Sequence, residues 1–155
     1  MSTVTIWETD STSSAETERV AEQLGRKLRG GEVIELVSDL GGGKTTFTRG
    51  LVRGTGSTDR VGSPTFTLSR EYQALHFTIA HFDFYRLGEA GIMGDELDEI
   101  IGDKLYVTVV EWGDIVRDVL PEQRVTVKLE QTGDETRHIT SSYPTALAYL
   151  VEGLQ

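Results

Sequence analysis

The run Val33-Ile34-Glu35-Leu36-Val37, continuing into Ser38-Asp39-Leu40-Gly41-Gly42-Gly43-Lys44-Thr45-Thr46, constrains this chain more than any other feature. The first five residues read as a buried strand. The successive glycines cannot continue it, and Phe47-Thr48-Arg49-Gly50-Leu51-Val52 then reads as helix. A strand that breaks into a glycine turn and at once opens a helix gathers unpaired backbone N–H groups at the positive end of the helix dipole. Such a turn suits a phosphate group. Gly42 and Gly43 can take positive φ without steric cost. Lys44 would reach the β- and γ-phosphates of a triphosphate, and the Thr45 hydroxyl would hold Mg²⁺. The pattern G-x-x-x-x-G-K-[ST] wants glycine where this chain has Ser38, at the end of the strand, where a small residue with negative φ suffices. The strand–loop–helix context favours a phosphate loop over a plain glycine-rich turn.

The chain has 155 residues and is read as one domain, long enough to bury a core without cross-links. It has no cysteine, which excludes disulfides, thiolate zinc sites and a cysteine nucleophile and suits a reducing compartment. No apolar run reaches about 18 residues, so no membrane span is expected. Met1 to Glu8 lacks the basic and apolar regions of a signal peptide, so a cytoplasmic location is expected. The formal charge of −10, from 25 acidic and 15 basic side chains, argues against tight autonomous binding of nucleic acid. It leaves room for action beside a protein that binds the nucleic acid.

Along the chain, Thr3 to Trp7 predicts a short strand and Asp10 to Ser14 a polar turn. Val20, Ala21, Leu24 and Leu28 have helical spacing within Ala15 to Leu28, which Arg29-Gly30-Gly31 stops. Gly54 to Gly62 reads as a flexible connection. Thr67 to Tyr72 and Thr78 to Phe84 predict two strands, Glu89 to Ile101 a helix, and Leu105 to Glu111 a central strand. Asp114 to Leu120 predicts a short helix ended by Pro121. Arg124 to Glu130 and His138 to Ser142 predict a hairpin, and Thr145 to Leu154 a closing helix. The alternation gives an α/β domain with a central, mostly parallel sheet and an antiparallel portion.

Two acids stand near the ends of apolar strands, Asp83 in Ala80-His81-Phe82-Asp83-Phe84-Tyr85-Arg86-Leu87 and Glu111 in Val109-Val110-Glu111-Trp112. Ligands of open α/β sheets bind outside the carboxyl ends of strands. A buried acid needs a partner, and nucleotide-bound Mg²⁺ is one. Either acid is a candidate to hold the metal or to orient water. The alternative for Asp83 is an ion pair with Arg86, and for His81 a packed, hydrogen-bonded role outweighs that of ligand or relay. Thr65, in Ser63-Pro64-Thr65-Phe66-Thr67-Leu68 after the glycine-rich connection, belongs to a segment that triphosphate would order as a switch. The rival is a proline turn leading into a strand.

Together, Ser38 to Leu51, Ser63 to Leu68, His81 to Leu87 and Glu111-Trp112 resemble the bacterial TsaE (YjeE) family in order and spacing. The resemblance spans nearly the whole chain. It implies a P-loop NTPase-like three-layer fold and a small Mg²⁺-dependent ATPase needed for threonylcarbamoyladenosine modification of tRNA position 37. It further implies docking on the TsaB–TsaD pair, in which TsaD is the transferase, so that contact with tRNA is indirect. Residue by residue, it implies that Asp39, Leu40, Gly41, Gly42, Gly43, Lys44, Thr45 and Thr46 bind ATP, and that Thr45 and Glu111 match the Mg²⁺ ligands. Asp83 and Trp112 match positions tied to activity, and Ser63 to Thr67, with Thr65, match the switch. The resemblance also implies that the turn from Thr9 to Ser14, with Ser11, and the hairpin residue Arg137 fall where family members approach the adenine. Besides Ser38, the chain departs from the family most between Glu89 and Gly102.

The chemistry expected is slow hydrolysis by water, with Lys44 and the loop N–H groups stabilising phosphate charge and with Asp83 or Glu111 placing water or metal. No arginine is obviously placed to complete the site in cis, so turnover should rise with the partner. One rival is a nucleotide-gated binding module in which hydrolysis is incidental. Another is a small-molecule kinase, which the scattered Arg117, Arg124 and Arg137 support poorly. The absence of an N-K-x-D block favours ATP over GTP.

Overall fold

The computed structural model describes residues 4–38, 43–62, 69–84, 91–112 and 116–154, with backbone alone at 92 and 93. Its elements are β1 (Val4–Ser11), α1 (Ser14–Gly25), β2 (Val33–Val37), α2 (Lys44–Gly54), β3 (Ser69–Gln73), β4 (Thr78–Asp83), α3 (Gly91–Ile100), β5 (Tyr106–Glu111), β6 (Val125–Gln131) and β7 (Arg137–Pro144). Among the described residues these strands form one seven-stranded sheet in the order β1-β7-β6-β2-β5-β4-β3. The central four, β6-β2-β5-β4, are parallel, and β7, β1 and β3 add antiparallel margins. β2 is flanked on both sides, which is why its sequence is a continuous apolar run broken only by Glu35. Glu35 is held by Arg124, whose Nε donates to Oε1 at 3.1 Å.

Strand alternation sorts the core into two layers. Ile34, Leu36, Val107, Val109, Val125 and Val127 face α1 and α2 through Val20, Leu24, Phe47 and Leu51. Val33, Ala80, Phe82 and Val110 face the other way, onto Leu97 of α3 and onto Val116 and Leu120. Helices therefore cover both faces, giving the three-layer α/β arrangement.

Local chemistry sets the helix ends. Ser13 caps α1, its Oγ accepting from the Glu16 N–H at 3.1 Å, while the Glu16 carboxylate accepts from the Thr12 N–H at 2.6 Å. That reciprocal arrangement holds the Glu16 carboxyl below its ordinary range, chiefly through the Thr12 bond. Four expectations are corrected. β1 runs through Asp10 and Ser11, because both pair with β7 (Asp10 with His138, Ser11 with Arg137) in place of turning. α1 ends at Gly25, short of Leu28. Residues 116–120 make a single turn, with the Leu120 N–H donating to Val116 O at 3.1 Å; Asp114 and Ile115 lie outside the described residues. The closing segment is a 3-10 helix, Thr145–Leu150, entered from Pro144, which supplies no capping side chain.

At the sheet margin, His138 of β7 lies between two acids of β1. Nδ1 is 2.7 Å from Asp10 Oδ1 and Nε2 is 3.1 Å from Glu8 Oε2. Glu130 of β6 lies in register with it. The bonds to Asp10 and then Glu8 raise the His138 pKa above its ordinary value. A raised histidine pKa stabilises the fold below the unfolded value of about 6.5 and loses that contribution as pH climbs through the folded value. Amide exchange of β1 should therefore quicken, beyond its intrinsic pH dependence, as pH passes upward through the folded pKa of His138. His138→Gln should remove that component, and salt should weaken it because the cluster is exposed. An identical exchange profile in both proteins would contradict it.

Candidate functional site

The site forms where the covered face of the sheet meets the first turn of α2. Ile79, His81 and Asp83 share one face of β4, and Asp83 lies in register with Glu111 of β5, which in turn pairs with Leu36 of β2. This is the α1–α2 face, at the carboxyl ends of the parallel strands. Lys44 begins α2 at that edge. All four polar side chains are withdrawn from solvent, with Lys44 8%, Asp83 6%, Glu111 4% and His81 1% exposed.

Lys44 is held from two sides. Its Nζ donates to Ser38 Oγ at 3.1 Å and to Ser38 O at 3.3 Å, and it stands 4.7 Å from the centre of the Trp112 ring. An ammonium over an indole face is favourable, more so when desolvated. Trp112 adopts φ 57°, a left-handed conformation unusual for a bulky side chain. Strain of this kind collects at functional sites, where surrounding packing sustains it. The Thr48 hydroxyl donates to Lys44 O at 2.8 Å and steadies the first turn of the helix.

Gly43 precedes the helix at φ 102°, and a Cβ there would meet Arg137 Nε at 3.5 Å. The left-handed φ is what demands glycine at this position. Arg137 thus lies against the glycine that opens α2, and with Ser14, Thr17, Thr46 and Glu135 it lines a small cleft beside Gly43. Its Nη1 also donates to Thr136 O at 2.9 Å, so the β6–β7 hairpin fixes the guanidinium in place. Ser11 pairs with Arg137 in the sheet, yet its hydroxyl is buried at 1% exposure, bonding Thr17 Oγ1 at 2.7 Å and Ser13 O at 2.8 Å. It ties β1 to α1 and does not face the cleft.

Lys44, Asp83, Glu111 and Trp112 are thus brought together, with Thr45 and Thr46 on the same first turn and Gly43 and Arg137 alongside. Asp39, Leu40, Gly41, Gly42 and Thr65 lie outside the described residues, as does Arg86, the alternative partner of Asp83. Two contacts are not apparent from the sequence. Ser38, seen there only as a departure, is the residue that receives Lys44. His81 Nε2 bonds Glu111 Oε2, a buried pair. The alternation His81-x-Asp83 on one strand face is the signal that would have placed the histidine beside the acids.

The donor set suits a nucleotide with Mg²⁺. That ion takes oxygen ligands, usually one or two from protein carboxylates or hydroxyls and the remainder from phosphates and water. Glu111, Asp83 and the Thr45 hydroxyl are such donors, and Lys44 adds the cation a polyphosphate needs.

Comparison with known proteins gives one consistent result. Residues 11–139 match the family model described as threonylcarbamoyl adenosine biosynthesis protein TsaE. The tRNA threonylcarbamoyladenosine biosynthesis protein TsaE of Bacillus subtilis is 36% identical over 129 residues, covering 81% of this chain and 78% of that protein. The protein of the same name from Treponema pallidum is 38% identical over 133 residues, covering 84% and 96%. The Streptomyces coelicolor protein is 39% identical over 127 residues, covering 78% and 86%. The crystal structure of Bacillus subtilis YdiB superposes with a TM-score of 0.82 at 31% identity, over 99% of this chain and 97% of that one. With the family model spanning most of its length and relatives this similar over four-fifths of it, this chain belongs to the TsaE family.

Proposed function

We propose that this protein is a Mg²⁺-dependent ATPase of the cytoplasm that serves threonylcarbamoyladenosine modification of tRNA position 37, as an accessory, resetting subunit of a TsaB–TsaD complex. The observation that carries the reading is the convergence of Lys44 at the start of α2 with Glu111 and Asp83 in register at adjacent strand ends. The names of the relatives supply the pathway.

In this reading Lys44 binds the terminal phosphates and stabilises the charge that grows on the leaving group. Thr45 and Glu111 would hold Mg²⁺, which supplies Lewis-acid neutralisation of phosphate oxygens. Asp83 orients water or a ligand of the metal from the neighbouring strand. Trp112 and Ser38 keep Lys44 at the mouth of the loop, and Arg137 flanks the cleft on the nucleoside side. The chain itself transfers no carbamoyl group.

The test is tRNA modification reconstituted with TsaB and TsaD, with and without this protein and ATP. Many turnovers should require both. If a non-hydrolysable ATP analogue sustained many turnovers, ATP would act only as a docking ligand and hydrolysis would be dispensable. If omission of this protein left modification unchanged, the pathway assignment would fail.

A further inference from the structure

His81 has no role in the nucleotide chemistry above, yet it is buried at 1% exposure and polar on both ring nitrogens. Nε2 bonds Glu111 Oε2, whereas Nδ1 is buried and has no partner among the described residues. The tautomer follows from these two facts. An ionised carboxylate only accepts, so the ring proton must sit on Nε2. A proton on Nδ1 would be a buried donor without an acceptor, which is costly, whereas a bare lone pair there costs less.

Glu111 needs such a partner more than Asp83 does. Its longer side chain has an extra torsion to fix, and it closes a strand whose next residue, Trp112, turns into a left-handed conformation. One hydrogen bond to Oε2 constrains the carboxylate plane and leaves Oε1 as the oxygen that His81 does not engage. The backing of His81 is built in as well. Its ring lies 6.3 Å from that of Tyr72 on β3, tilted by 39°. The Tyr72 hydroxyl donates to Gly62 O at 3.1 Å, and burial pushes its phenol pKa up, so it stays protonated as that donor. Gly62 immediately precedes the Ser63–Thr67 segment read as a switch. The side chains thus run from the Glu111 carboxylate through His81 and Tyr72 to the backbone entering that segment.

We propose that His81 is a positioning residue for Glu111, acting through a fixed Nε2–H tautomer that selects which carboxylate oxygen faces the metal and water. This rests on the ATPase reading and assigns within it a role to a residue outside the nucleotide and metal contacts proposed above. Partners of metal ligands characteristically cost about 10- to 100-fold when removed. His81→Leu keeps the bulk and loses the donor. It should lower kcat for ATP about 10-fold or more while the KM for ATP stays within about 3-fold. His81→Gln places an amide N–H at nearly the reach of Nε2 and should recover most of that loss.

The closing experiment pairs these kinetics with long-range ¹H–¹⁵N spectra of the histidine rings in the nucleotide-free protein. Wild type should show His81 as the Nε2–H tautomer, and Glu111→Ala should abolish that preference. A Nδ1–H tautomer, or a ring indifferent to Glu111→Ala, overturns the proposal whether or not ATP is hydrolysed. So does wild-type kcat in His81→Leu, or equal losses in the Leu and Gln variants with the thermal midpoint falling in step. A wild-type protein that hydrolyses no ATP, alone or with its partners, would overturn the ATPase reading instead, and the spectra would still decide the tautomer.

Discussion

Lys44→Ala is expected to lower ATP turnover about 100- to 1000-fold, the scale seen when a preorganised donor to developing negative charge is removed. It should weaken ATP binding as well, because Lys44 contributes a whole positive charge from a position with 8% exposure, where water screens little. The fold should survive. The substitution removes the two bonds to Ser38 and the ammonium from the face of Trp112, interactions at the edge of the site and away from the apolar layers. The Thr48 hydroxyl bonds the backbone carbonyl of residue 44, which alanine retains. Alanine is also a slightly better helix former than lysine. The thermal midpoint without nucleotide should therefore move little, and the stabilisation by Mg·ATP, which follows RT ln(1 + [L]/Kd), should nearly vanish. Parallel measurement of midpoint and turnover decides the point. Wild-type hydrolysis by Lys44→Ala would falsify the site assignment, and a large fall of the nucleotide-free midpoint would make Lys44 a structural residue.

The parts of this site legible in the sequence are those whose chemistry is local. A β-branched run meeting glycines and then a helical pattern marks β2 and α2 within about twenty residues of chain, with Asp39 to Gly42 between them outside the described residues, and Lys44 follows from its place in that run. Glu111 and Asp83 are legible as strand-end acids because parallel strands bring their carboxyl ends to one edge. What the sequence does not reveal depends on register between distant segments. Ser11 reads as a turn residue because serine and aspartate favour turns, but pairing with Arg137 across the β1–β7 margin outweighs that local preference. The His81–Glu111 pair requires β4 beside β5 in a register that only the assembled sheet defines. Ser38 reads as a weakened loop position. In the folded chain its hydroxyl faces Lys44, a contact that the glycine of the usual motif cannot make through a side chain. Gly54 reads as the start of a flexible connection, whereas it is the last residue of α2 and lies against Glu22 of α1.

That last contact leads to the second large effect, Gly50→Ala. In an isolated helix the change would help, by roughly 1 kcal/mol. Here a Cβ on Gly50 would stand 2.2 Å from Glu18 O, 2.8 Å from Glu18 Cα and 2.9 Å from Glu18 C. All three are backbone atoms of α1, so no side chain can swing aside. A Cβ on Gly54 would likewise stand 2.2 Å from Glu22 O, and one on Gly25 of α1 2.2 Å from Leu51 O, so three glycines let the two helices approach closely along the contact. Overpacking of this kind costs about 1–3 kcal/mol and occasionally more. With backbone on both sides the upper end should apply and exceed the gain in propensity, for a net loss of about 2 kcal/mol. In a chain of this length that is roughly 4–8 °C of thermal midpoint. The ion pairs over the same seam, Arg49 and Arg53 to Glu18 at 3.0 Å and Arg53 to Glu22 at 3.3 Å, are solvent-exposed on the arginine side and contribute far less. Arg49→Ala should accordingly shift the midpoint by no more than about a third of that amount. The consequence reaches the site, because α2 carries Lys44 at its first position, and pushing α2 off α1 displaces the ammonium from Ser38 and Trp112. Gly50→Ala should then show a reduced stabilising increment from Mg·ATP at temperatures where it is fully folded. A variant more stable than wild type would mean that propensity, not helix–helix approach, governs this position. A destabilised variant with an undiminished nucleotide increment would mean that the α1–α2 contact supports the fold without placing Lys44.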